Sequence, residues 1–289
     1  MDMLEYHQML VEEKRLVMIY KKSRKYMLII DDSPLCKYYH YRRLKALKDF
    51  GDVSKGDLGG FVRDFHNLSH KGNCWIYNYA KVKENAIVSE DATVRGSAMI
   101  KENARIYGNA IVSKNARVLG NAQVTGNAQV FGFAVVMDNA QVSGDAIIFG
   151  HALIYERAQV SESTNISGNS KIYGNAKVSG NTIISENAII KGNAVIKDNA
   201  KISEDAMVYG GAIIKDNAVI CGNAKVSGNA VIKDNTQISG NDKVVGDRKI
   251  SHDLSKSDEY WIYVGEWYTK SLGSIFWLSV IISIIIWRP

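Results

Sequence analysis

An all-β fold, a single-stranded parallel β-helix, is what three features of this 289-residue sequence predict. A six-residue period runs from Ala80 to Gly246 with no inserted or deleted residue. The first position of each unit is Ala, except at Thr164, Ser170, Thr182, Thr236 and Asp242, and the third is Val or Ile throughout, from Val82 to Val244. The only two prolines, Pro34 and Pro289, stand outside the repeat, so nothing interrupts it.

A step of six cannot keep the alanines on one face of a helix with 3.6 residues per turn. On a strand, Ala and Val/Ile two apart point the same way, so each unit is a short strand with two inward residues. The fifth position is mostly Gly, Glu or Asp and the sixth mostly Asn, which suits a turn. Turns this frequent leave no room for useful hairpins. The strands must coil instead, each pairing in parallel with its counterpart one coil away. A single coil buries too few aliphatic side chains to offset the entropy of ordering it. Bonds between coils, stacked aliphatics and asparagine ladders at the corners must supply the rest, and both ends of the stack need caps.

The spacing from each Val/Ile to the Ala four places on resembles the hexapeptide repeat of the left-handed parallel β-helix proteins. In that family three units make one triangular coil, which implies about nine coils here and a rod roughly 45 Å long at ~4.8 Å per coil. Glycine sits one place later than the family's commonest position, so a right-handed β-helix is the alternative. The run Leu44–Val53 with Gly56-Asp57-Leu58-Gly59-Gly60 further resembles the start of bacterial and prophage hexapeptide-repeat proteins of unassigned role, often labelled transferases.

The expected organisation has five parts. Residues 1–35 form a helix and strand, with a basic run from Lys14 to Lys25 and an apolar stretch from Tyr26 to Ile30. Residues 36–79 form an N-terminal cap. Here Tyr39–Leu44 alternates like a strand, and Asp49, Asp52 and Asp57 beside glycines read as turn caps rather than a carboxylate cluster. Asn67–His70 and Gly72–Ile76 already fall into the six-residue phase. Residues 80–246 are the β-helix and 247–260 a linker. Residues 261–289 are an apolar C-terminal segment whose uncharged stretch Ser271–Trp287, bracketed by Lys270 and Arg288, suits a membrane anchor or a strand or helix capping the rod.

Net charge is +6 and the pI about 9.0. That excludes a nucleic-acid-mimicking rod and permits weak attraction to anionic partners. Nucleic-acid binding is not expected, since RNP-like aromatics and zinc-finger spacings are absent. Cys36, Cys74 and Cys221 are odd in number and far apart, giving neither a disulfide framework nor a metal site and pointing to a reducing compartment. Met1–Glu13 is acidic and lacks a basic start, so no signal peptide is read. A cytoplasmic protein is expected, attached to the cytoplasmic face of a membrane if the C-terminus is an anchor.

Read every eighteen residues, the outward positions form columns. Leu119, Met137, Tyr155, Tyr173 and Tyr209 share one, and Val135, Leu153, Ile189 and Met207 its companion. Phe131 and Phe149, with Ile147, mark part of a second face, and Lys197, Lys215 and Lys233 a third column. A long apolar stripe on a rod implies something packed against it. The candidates are a protein partner, another copy, or the chain's own terminal segments. The resembled enzymes form trimers, so the resemblance implies a homotrimer.

Two functional classes follow, with a filament-forming structural protein as a third possibility. A non-catalytic scaffold or binding rod would act through its flat faces and need no cofactor. An acyltransferase, implied by the resemblance, would use a coenzyme A thioester and a histidine base that needs an unprotonated imidazole within reach of the acceptor. His151 is the only histidine inside the repeat, at a turn position usually held by Asn. No unit carries an insertion that would cover a substrate, and phosphate-cradling and serine-elbow motifs are absent. The scaffold is therefore the preferred reading.

Overall fold

The structure, a computed structural model, describes residues 24–252. The expected N-terminal helix, the rest of the linker, the segment 261–289 and the stretch 271–287 lie outside the described residues.

The repeat forms a parallel β-solenoid. Each unit contributes a two-residue strand at its second and third positions, such as Arg117–Val118, paired with Met99–Ile100 on one side and Val135–Val136 on the other. Every such pairing is offset by eighteen residues, so three units close one coil. Three sheets result, each holding every third strand. We call them the first face (strands from Lys81–Val82), the second (from Ile87–Val88) and the third (from Thr93–Val94). The Ala and Val/Ile positions from Ala80 to Ile232 point inward and are buried. Thr164, Ser170, Thr182 and Thr236 fit the alanine position because each hydroxyl donates to the carbonyl three residues back. That carbonyl already receives the turn N–H in units such as Ala86 to Lys83, so the added hydroxyl is satisfied without disturbing the coil.

The stack is longer than the unbroken period. Lys249–His252 adds a rung by pairing in parallel with Val231–Asp234. At the other end Trp75–Ile76 pairs with Thr93–Val94, and Leu68 bridges Val88. Strand β3 (Leu58–Val62) pairs in parallel with Lys81–Val82 and begins the first face. The first face therefore runs from Phe61–Val62 to Lys243–Val244, eleven parallel rungs spanning about 48 Å at ~4.8 Å per step.

The N-terminal cap closes this end. Strand β1 (Tyr26–Ile29) matches the expected apolar stretch and pairs antiparallel with β2 (Arg42–Ala46), which pairs antiparallel with β3. Tyr39 ends a short helix, α1 (Pro34–Tyr39), instead of opening a strand. Ser33 caps that helix through the Cys36 N–H, and Pro34 at its start needs no N–H partner. Gly59 and Gly60 let β3 lie close over the first coil: a Cβ at Gly59 would sit 2.6 Å from Trp75 Cζ2, and one at Gly60 2.6 Å from Ala80 O. Asp49 and Asp57 accept the N–H groups of Lys55 and Ser54, as turn capping expects, while Asp52 accepts from the Tyr77 hydroxyl.

Lys25 completes the cap. Within the coils the N–H of one rung donates to the carbonyl seventeen residues on, so the Gly72 and Cys74 carbonyls face a rung that does not exist. The buried Lys25 ammonium takes its place, donating to Gly72 O at 3.1 Å and Cys74 O at 2.8 Å, with Cys74 Sγ at 3.3 Å. Burial lowers the Lys25 pKa, and burial raises that of the Cys74 thiol. All three cysteines are free.

Candidate binding face

The corners decide what the faces display. The fifth residue of each unit adopts a left-handed conformation: Gly at φ near +70°, an acidic residue such as Glu102 at +63°, or, once, Lys114 at +59°. A left-handed Glu or Asp is strained, and at several rungs its carboxylate gains a compensating bond. Glu84, Glu90, Glu102, Asp138, Glu162, Asp198 and Asp216 each accept the N–H of the residue eighteen on. The sixth residue is not left-handed; its asparagines form the ladders. Asn85, Asn103, Asn121 and Asn139 link Nδ2 to Oδ1 at 3.0–3.1 Å. Carboxylates are thus collected at the corners. Between Ala80 and Gly246 no outward strand-face position holds Asp or Glu.

The first face brings together both expected columns. Val135, Leu153, Ile189 and Met207 are in register through Lys171, and Leu119, Met137, Tyr155, Tyr173 and Tyr209 stand beside them. All nine are half-buried by their neighbours along the rod. The Tyr155 and Tyr173 rings stack at 4.7 Å, and the Lys191 ammonium lies 5.4 Å from the Tyr209 ring. Arg117 precedes this apolar stripe in the column, and Lys171 and Lys191 interrupt it. Lys81, Lys83 and Lys101 continue toward the cap, Lys225 and Lys243 toward the far end. The face thus carries eight cations and no anion. Lys83 and Lys101 pair with the corner residues Glu84 and Glu102, whereas Arg117 and Lys171 have no ion pair among the described residues.

The structure also joins what the columns left apart. The corner between the third and first faces interrupts its asparagines with Phe133 and His151, whose rings stack at 5.0 Å and 3°. Behind it Phe131 and Phe149 stack at 5.3 Å, with Lys114 5.1 Å from the Phe131 ring. Two successive coils therefore wrap uncharged side chains round this corner. One carries Phe131, Phe133, Val135 and Met137; the other carries Phe149, His151, Leu153 and Tyr155. Phe133 is 55% exposed. The signal lay in the alternation within residues 131–137 and 149–155, legible only once the corner position is known to point outward.

His151 is a corner residue. Its backbone N–H donates to Gly168 O like its asparagine counterparts, and its ring contact is Phe133. Among the described residues no carboxylate orients its imidazole. A shallow depression lies at the corner between first and second faces, lined by Asp138, Glu156 and Arg157 among others, away from His151. The second face differs from the first: Lys197, Lys215 and Lys233 form the expected column, and each pairs with the aspartate that follows it, at 3.9, 3.4 and 3.1 Å. No group of three or more His, Cys, Asp or Glu suited to a metal occurs among the described residues. No helix among them is long and apolar enough to cross a membrane.

These features define the class: a parallel β-solenoid built from hexapeptide repeats. Residues 104–120 match the family model of the YdcK β-solenoid repeat. No curated protein matches the chain. Among solved structures it resembles a UDP-N-acetylglucosamine acyltransferase from Campylobacter jejuni, at 15% identity and a TM-score of 0.35, over 66% of this chain and 71% of that one. It also resembles a UDP-N-acetylglucosamine O-acyltransferase from Moraxella catarrhalis, at 13% identity and a TM-score of 0.35, over 52% and 66% of the two chains.

Proposed function

We propose that the protein is a non-catalytic β-helical scaffold, a binding rod that presents flat faces to a partner or to a second copy of itself. The observation that carries this reading is the unbroken eighteen-residue register from Lys81 to His252. No segment leaves the coil over that span to enclose a substrate, and the one histidine of the repeat stands exposed at a corner, stacked on Phe133. The first face, through Leu119, Val135, Met137, Leu153, Tyr155, Tyr173, Ile189, Met207 and Tyr209, is the contact surface. Self-association, with a trimer as the expected assembly, and tethering through residues 271–287 are part of the same proposal. The test is acyl transfer from coenzyme A thioesters to a panel of amines and sugar hydroxyls, with coenzyme A titrated by calorimetry. The scaffold reading expects no turnover and no heat at millimolar ligand. Turnover abolished by His151→Ala overturns it in favour of an acyltransferase.

A further inference from the structure

We infer that the first face, with the Phe133–His151 corner beside it, lies flat on an anionic lipid surface. This rests on the scaffold reading and names its partner. Charge is the first argument. The face displays eight cations and no anion at its strand positions, and Arg117 and Lys171, on either side of Val135 and Leu153, have no ion pair among the described residues. The second face carries six cations at the equivalent positions; Lys197, Lys215 and Lys233 are each matched by a following aspartate, leaving three without an ion pair among the described residues against six on the first face.

The second argument is the uncharged band. Phe131, Phe133, Val135 and Met137 on one coil and Phe149, His151, Leu153 and Tyr155 on the next wrap a corner whose fifth and sixth positions, from Gly96 to Asn169, include no acid. Phe133, 55% exposed, is the protruding tip of this wedge. The carboxylates of Glu84, Glu102, Asp138 and Glu156 stand along the opposite edge of the face. Farther along, the aromatic corner carries Glu186, Glu204 and Asp205, so it is the stretch from Gly96 to Asn169 that turns toward the lipid. Tyrosine rings over a cationic, apolar-centred surface suit the headgroup boundary.

Shape is the third. Eleven parallel rungs in register make one long continuous sheet, which an extended planar partner can engage at many points. A nucleic-acid duplex would touch such a sheet along a line and leave the band without a role.

The experiment is sedimentation of the full chain with vesicles of phosphatidylcholine alone or with 30% phosphatidylserine. Binding is expected only to the anionic vesicles, falling as salt rises. Arg117→Gln/Lys171→Gln/Lys225→Gln places glutamine where Gln123, Gln129, Gln141 and Gln159 already occupy the same strand position, so the coil tolerates it. At about fivefold per cation removed, this variant weakens binding about a hundredfold. Lys177→Gln/Lys197→Gln/Lys249→Gln on the second face, with the same net charge, retains most of it. Phe133→Asn weakens binding at fixed charge. Equal binding to neutral vesicles, or equal loss in the two triple variants, overturns the inference. So does duplex binding without vesicle binding, or a dimer broken by the first-face variant in a chain that ignores vesicles. Failure here leaves the scaffold reading intact, whereas His151-dependent acyl transfer overturns that reading without touching lipid binding.

Discussion

The ring of His151 lies parallel to that of Phe133, 5.0 Å away and tilted by 3°, in a corner column that otherwise carries Asn115 before it and Asn169 after it. The stack thus stands where two members of an asparagine ladder would be. We expect Phe133→Asn/His151→Asn to be at least as stable as the parent in urea denaturation, because asparagine at those rungs restores side-chain bonding along the corner. A loss above about 2 kcal/mol would show that the aromatic pair is there for stability.

The ladders themselves are open to the same measurement. Asn103 donates to Asn121 at 3.0 Å and accepts from Asn85 at 3.1 Å. Asn103→Ala removes both bonds. Since they are exposed, the expected destabilisation is about 1 kcal/mol, and the variant should fold with unchanged spectra.

The interior is less forgiving. Ile148 is fully buried between Val130 and Ile166 of the adjacent coils. Ile148→Ala should lower stability by about 2–5 kcal/mol. Ala146 is fully buried at an inward position beside the corner, so Ala146→Leu should cost about 1–3 kcal/mol by overpacking. Similar losses at Lys177, an exposed position on the second face, would contradict the burial pattern.

Two groups in the cap set its acid response. Burial acts to raise the Asp31 pKa, but bonds from Ser33, Cys36 and Arg43 outweigh it and bring the carboxyl to about 2. A carboxyl depressed in the fold stabilises above its unfolded pKa of about 3.9. That contribution should fade as pH falls from about 4 toward 2. Asp31→Asn should flatten this limb of the stability curve.

His70 acts at higher pH. Its ring stacks on Tyr26 at 4.2 Å and accepts the Lys25 N–H at Nδ1. Burial first, then Arg24, Lys25 and Lys48, lower its pKa. Below the unfolded value of about 6.5 the unfolded chain binds a proton that the fold resists, so stability falls with pH. His70→Phe keeps a ring against Tyr26 and should remove the decline that sets in below about pH 6.5. Lys25→Met, by contrast, leaves the Gly72 and Cys74 carbonyls without their donor and should destabilise by about 2 kcal/mol at neutral pH. Fraying of the first coil, seen as faster amide exchange of the strands from Trp75 to Val94, should accompany it.

The repeat was readable because its physics is local and periodic. An inward pair two residues apart, a turn every six residues and an aliphatic at every third position admit one arrangement, and Val82 through Val244 all took their places in it. The columns Leu119 to Tyr209 and Lys197 to Lys233 followed from the eighteen-residue coil. Asparagine was read as a turn residue, yet the left-handed residue is the one before it, and the asparagine's work is sideways bonding to the next coil. That distinction depends on which atoms of successive coils meet, which no single unit contains.

Sequence alone determined that the chain coils and which residues from Ala80 to Val244 fill the interior, since a strict period imposes the same choice at each rung. Tertiary structure decided what the ends and corners do. Lys25 lies forty-nine residues from Cys74, the residue whose carbonyl it satisfies, and no spacing rule links them. The union of the Phe131–Phe149 pair with Val135 and Leu153 likewise appears only when a corner turns one face into the next. Contacts that close a stack or round an edge join residues of unrelated spacing, so their partners are set by where the coil happens to stop and bend.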